Sequence, residues 1–148
     1  MARHKRIKPE QLADAITEII DDYTKEVGEG VPEDVKSTGK ACVQILRAHI
    51  DSAGIGGNKY RNSFTSTTTL ENRFQATVEV WSPAHYRIAH LLEHGHRVVV
   101  NGKTIGNTKA YPHFAPAEKE ASELLEKKIL MRVRGEGVAT GAGHWRDW

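Results

Sequence analysis

A chain of 148 residues, 39% hydrophobic and 27% charged, has the length and balance of one soluble globular domain, and it can build a core without a metal or disulfide staple. Twenty-one Lys and Arg against nineteen Asp and Glu leave a formal charge of +2, too even for wholesale neutralisation of nucleic-acid phosphates. No apolar run approaches the roughly 20 residues of a bilayer span, so no membrane is expected. The lone Cys42 has no intrachain partner, and the basic start MARHKRIKPE is not followed by an apolar stretch, so the chain is expected in a reducing cytoplasm.

The first periodic segment opens at Pro9, whose missing N–H suits a first helical position. Leu12, Ile16, Ile19, Ile20, Tyr23 and Val27 recur at three and four residues and predict an amphipathic helix. Gly28 and Gly30 are expected to end it. Pro32, with Glu33 and Asp34 in the first turn, is expected to open a second helix with the stripe Val35, Gly39, Cys42, Leu46, Ile50 and Ala53. GIGGNK at 54–59 reads as a flexible turn, since it follows a helix and lacks the spacing of a phosphate-binding loop.

Residues 60–69 and 73–81 predict two antiparallel strands, with Phe74, Ala76, Val78 and Val80 alternating around polar residues. Pro83 leads into a short helix over 84–94, stopped by Gly95. Ala84, Ile88, Leu91 and Leu92 are expected to dock on the sheet, leaving Tyr86, Arg87, His90, Glu93 and His94 outward. Asn101-Gly102 between Val98, Val100, Lys103 and Ile105 predicts a protruding type I′ hairpin, because both turn residues tolerate positive φ. Pro112 and Pro116 lead to a last helix over about 115–132. Residues 135–148 read as a flexible Gly-rich tail whose Trp145 and Trp148 suit anchoring on a partner. The expected fold is α+β: two N-terminal helices, an antiparallel sheet with a short inserted helix and a hairpin, and a long C-terminal helix, as one domain over 1–134.

Two patterns offer chemistry. His90, Glu93 and His94 spell HxxEH, the inverted zinc-hydrolase pattern, and helical spacing allows both imidazoles to face one metal. A third ligand is lacking unless it comes from Glu118, Glu120, Glu123 or Glu126 of the last helix, so the pair reads as surface histidines, with a zinc-dependent hydrolase as the alternative. Lys36, Lys40 and Arg47 form a basic strip that reads as a solvated face, with a small nucleic-acid-binding module as its alternative. Cys42 sits in an apolar stripe and reads as core.

The succession GGNKYRNSF, WSPAHYRIAHLLEHGH and YPHFAPAEKEA resembles the tail-completion, or head–tail joining, family of long-tailed bacteriophages. The resemblance runs from the second helix to the last. It rests on Tyr86 in the short helix, Leu92-Glu93-His94-Gly95, the insert at 97–109, and the Pro112 to Ala117 lead into the final helix. It implies a small α+β subunit of the virion neck, assembled in the host cytoplasm as a six-fold homo-oligomeric ring. Its implied partners are the head connector or adaptor and the tail tube or terminator proteins, with no catalysis, no cofactor and no sequence-specific nucleic acid. The ribbon residues Val98, Val100, Lys103 and Ile105, with Trp145 and Trp148, are the candidate contacts, since an exposed hairpin can extend a neighbour's sheet.

Overall fold

A computed structural model describes residues 8–135. A short 3-10 turn, Pro9–Gln11, leads into α1 (Leu12–Ala53), followed by α2 (Gly57–Asn62), β1 (Thr65–Glu71), β2 (Ala76–Trp81), α3 (Tyr86–His94), β3 (Arg97–Val100), β4 (Lys103–Asn107) and α4 (Phe114–Val133). The class is α+β, with two separate two-stranded antiparallel sheets, β1-β2 and β3-β4. The Gly-rich tail beyond Gly135, with Trp145 and Trp148, lies outside the described residues.

The expected pair of N-terminal helices is one helix of 42 residues that runs straight through Gly28, Gly30 and Pro32. Pro32 has no N–H for the Gly28 carbonyl, a local cost of about 3 kcal/mol. Tertiary ties on both sides of it outweigh that cost. The Tyr23 hydroxyl donates to the Val133 carbonyl at 2.7 Å, and the Arg132 guanidinium grips Asp34 through two bonds of 2.7 and 2.9 Å. Lys128 donates to Ser37 at 2.9 Å, so α4 is clamped antiparallel along α1.

The glycines that look like helix breakers are close-approach positions. A Cβ on Gly28 would lie 2.8 Å from the Phe74 ring, one on Gly30 would strike the Arg132 guanidinium, and one on Gly39 would strike Val78. Their bareness lets the β1-β2 hairpin and α4 lie against the α1 backbone. The alternation of β2 is as expected, with Ala76, Val78 and Val80 turned inward. Phe74 belongs to the connecting turn rather than the strand, where Phe74 N donates to Asn72 Oδ1 at 3.0 Å.

Residues 57–62, expected to be turn and strand, form α2, and β1 starts only at Thr65. Arg47 reaches across from α1 and donates to the carbonyls of Arg61 and Phe64 at 3.3 and 3.4 Å, satisfying acceptors that the end of a helix leaves open. Tyr60 is thereby fixed in the core beside Val43, Leu46, Ile50, Phe64, Ala89 and Ala117. Edge-to-face packing joins Tyr60 to Phe64 at 5.1 Å and Phe64 to Phe114 at 5.5 Å.

Candidate functional site

The inserted helix α3 turns a different face inward from the one its hydrophobicity suggests. Ala89 and Glu93 are buried and Leu92 is partly so, whereas Tyr86, Ile88 and Leu91 are exposed. The expected docking face is therefore corrected by roughly a quarter turn or more, and its cause is Glu93. At 8% exposure its carboxylate accepts the backbone N–H groups of His113 (2.7 Å), Phe114 (2.9 Å) and Ala115 (3.0 Å). These are donors at the start of α4, which has no side-chain cap of its own. Glu93 is thus a helix cap supplied from another element, and it complements the positive end of the α4 dipole.

His113, fully buried, continues this latch. Its Nδ1 lies 2.6 Å from the Tyr111 carbonyl and 3.0 Å from Glu93 Oε2, and its Nε2 lies 2.7 Å from the Tyr60 hydroxyl. A carbonyl only accepts, so Nδ1 carries a proton toward Tyr111, and Nε2 shares a hydrogen bond with the Tyr60 hydroxyl. Burial, with the Glu93 charge second, pushes the Tyr60 phenol up to about 12. Burial acts to raise Glu93, but its three backbone donors and His113 oppose this and leave it below the ordinary 4.5. Next to this cluster, Ser82 Oγ lies 2.7 Å from Ser63 Oγ and accepts the His85 N–H at 3.0 Å, which sets the start of α3.

His90, Glu93 and His94 line one depression with Trp81 and Tyr86: the two imidazoles are exposed with ring centroids 5.1 Å apart, and Glu93 is buried with both carboxylate oxygens taken by backbone donors at the start of α4. Glu120 pairs with His49 at 2.7 Å, and among the described residues no group of three His, Cys, Asp or Glu is placed to hold a metal ion. The basic strip is dispersed as well. Lys36 bridges Glu71 at 2.8 Å and Glu33 at 3.4 Å, Arg47 serves the α2 carbonyls, and Lys40 is left exposed. Cys42, half-buried, lines an apolar groove between α1, β2 and α4, where burial first and Glu118 second push its thiol up and favour the protonated form.

The ribbon stands as the turn chemistry predicts. Asn101 and Gly102 have φ of 50° and 76°, and β3 and β4 pair antiparallel with a bulge between Val98 and Val99. Its base is fixed by Thr108 N donating to the His96 carbonyl at 2.8 Å and by the left-handed Gly95, where a Cβ would meet the Thr108 carbonyl at 2.6 Å. Of the candidate contacts, Val100, Lys103 and Ile105 are exposed, Ile105 to 66%, and Val98 is half-buried. Sequence reasoning missed the latch and the exposed Val99. The signal for the latch was present: Pro112-His113-Phe114 opens a helix without Ser, Thr, Asp or Asn at its start, so the cap must come from elsewhere.

No protein-family model, curated protein or solved structure matches this chain.

Proposed function

We propose that this chain is a structural subunit of the neck of a long-tailed bacteriophage, forming a homo-oligomeric ring between the head connector or adaptor and the tail tube or terminator. Its work is assembly in the host cytoplasm and then mechanical continuity in the virion, without catalysis or cofactor. The observation that carries the reading is the apolar surface left at both ends of the fold. Leu12, Ile16, Ile19 and Ile20 are open on α1, Ile88 and Leu91 on α3, and Val99, Val100 and Ile105 on the ribbon. Exposed aliphatic groups in such clusters mark surfaces that association covers.

Also in support, the motif that resembles the phage family has a structural use for its Glu: Leu92-Glu93-His94-Gly95 ends α3, caps α4 and starts the ribbon. The same use engages both carboxylate oxygens of Glu93 with backbone donors. The test is Val98→Lys with Val100→Lys in the full chain. The circular dichroism spectrum stays that of the wild type while ring assembly and phage yield are lost. Unchanged assembly and yield would contradict the proposal.

A further inference from the structure

One face of α1 loses its cover where α4 ends. Tyr23, Gly30, Asp34 and Ser37 meet Val133, Arg132 and Lys128 of α4, and at 100° per residue they fall within a sector of about 60°. Leu12, Ile16 and Ile19 lie in the same sector, and Ile20 lies about 40° beyond its edge. These four are exposed, Ile20 to 56%. Asp14, Glu18 and Asp21 belong to the opposite face, so the uncovered patch is apolar. The first three turns of α1 thus continue the track of α4 without an occupant among the described residues.

The chain itself arrives at this place. α4 runs antiparallel to α1 toward Tyr23, whose hydroxyl donates to the Val133 carbonyl, and Gly135, at φ 69° with its N–H on the Arg132 carbonyl, ends the helix there. The 13 residues that follow read EGVATGAGHWRDW, with Trp145 and Trp148 three apart and only Glu136, Arg146 and Asp147 charged. From Tyr23 to Leu12 the patch is about 16 Å long at 1.5 Å per residue. The ten residues from Gly135 to Trp145 reach up to about 33 Å, enough to set either indole anywhere on it. The segment before Lys8 suits an apolar patch less, because Arg3, Lys5 and Arg6 run through it.

Tethering decides between this segment and a second copy. A segment on a short linker is present at an effective concentration of about 1 mM, so it occupies the patch ahead of a separate chain at micromolar concentration. Each indole brings about 150–250 Å² of surface to bury.

We infer that residues 136–148 fold back onto the exposed face of residues 12–23 of their own chain, with Trp145 and Trp148 as the anchors. The docking does not depend on the ring. One consequence rests on the ring proposed above: association through the same aliphatic face has to displace the segment, which then holds the free subunit back from assembly.

The experiment uses the full chain with Trp81→Phe, whose tryptophan emission comes from Trp145 and Trp148 alone, at a dilution where sedimentation velocity gives the mass of one chain. A peptide of residues 136–148 is the reference. The chain emits at shorter wavelength than the peptide and is quenched less by acrylamide. Ile16→Ser with Ile20→Ser, checked for wild-type circular dichroism, moves both readings to those of the peptide, whereas Asp14→Ser with Glu18→Ser on the opposite face leaves them in place. Peptide-like emission from the Trp81→Phe chain overturns the inference, and so does protection that survives Ile16→Ser with Ile20→Ser. Protection that appears only where copies associate overturns it in favour of a second copy. A disulfide carries the test if the stripe variant loses helix. In a Cys42→Ala chain, Ile16→Cys with Arg146→Cys closes within one chain and Glu18→Cys with Arg146→Cys does not; failure of the first to close overturns the docking. For the ring, a chain ending at Gly135 assembles at a roughly tenfold lower concentration than the full chain, the factor set by a segment docked about nine-tenths of the time. Equal assembly concentrations overturn the displacement. A full chain that never assembles overturns the ring, and the fluorescence decides the docking independently.

Discussion

Replacing Glu93 by Ala separates a structural role for HxxEH from a catalytic one. The carboxylate accepts three backbone donors at 2.7, 2.9 and 3.0 Å and lies 3.0 Å from His113 Nδ1. The His113 N–H is buried and is left without an acceptor, at about 1–3 kcal/mol. The N–H groups of Phe114 and Ala115 are nearer the surface, so water relieves part of their loss, and each contributes about 0.5–1 kcal/mol, in the range of helix-cap substitutions. The sum is about 2–5 kcal/mol. With a urea slope of about 2 kcal/mol per molar, the midpoint of unfolding falls by about 1–2.5 M. Glu93→Gln keeps one acceptor oxygen and should lose roughly half as much. A midpoint within about 0.3 M of wild type for Glu93→Ala would refute the latch. If that variant also lost a bound zinc, the hydrolase reading would be restored.

Three further outcomes follow from the same geometry. Because Glu93 titrates below its ordinary 4.5 in the fold, its contribution is fully present above that value and is lost as pH falls through the lower, folded value. Urea midpoints measured from pH 6 down to pH 3 should therefore fall more steeply for wild type than for Glu93→Gln, and parallel curves would contradict this. Gly39→Ala gains about 1 kcal/mol of helix propensity but forces a methyl into the stiff Val78 side chain, so a net loss of about 1–2 kcal/mol in thermal or urea unfolding is expected. Thr38→Val removes the Thr38 hydroxyl, a buried oxygen without a hydrogen-bond partner among the described residues, and should leave stability unchanged or raise it by up to about 1 kcal/mol; a clear loss would mean that the hydroxyl has a partner in solution.

What was legible in the sequence was local. Asn101-Gly102 announces its turn because both residues accept positive φ, and Ala76, Val78 and Val80 announce a half-buried strand by their period. Gly95 stops α3 where its position says it should. What was illegible depends on partners far along the chain. Gly28, Gly30 and Pro32 look like a helix break, yet Phe74, Arg132 and Asp34 make that segment a packing surface. Glu93 looks like the outer face of an amphipathic helix because its acceptor role is defined by amides 20 to 22 residues later. His113 carries no periodic signal at all, and its place in the core follows from Tyr60, which the sequence suggested as the start of a strand. In the HxxEH pattern spacing aligns His90 and His94, whereas the engagement of Glu93 by the amides of His113, Phe114 and Ala115 is set by the tertiary fold.

The N-terminal turns of α1 and the ribbon have one thing in common: each presents exposed aliphatic side chains. Association through them accounts for both features at once. The most direct measurement is negative-stain microscopy of the purified full-length chain over a concentration series at low and high salt, with mass by light scattering on the same samples. The account predicts closed rings of uniform subunit number, favoured by concentration at either salt. A particle with the mass of one chain at every concentration and salt, including in the presence of a purified head connector, would contradict it.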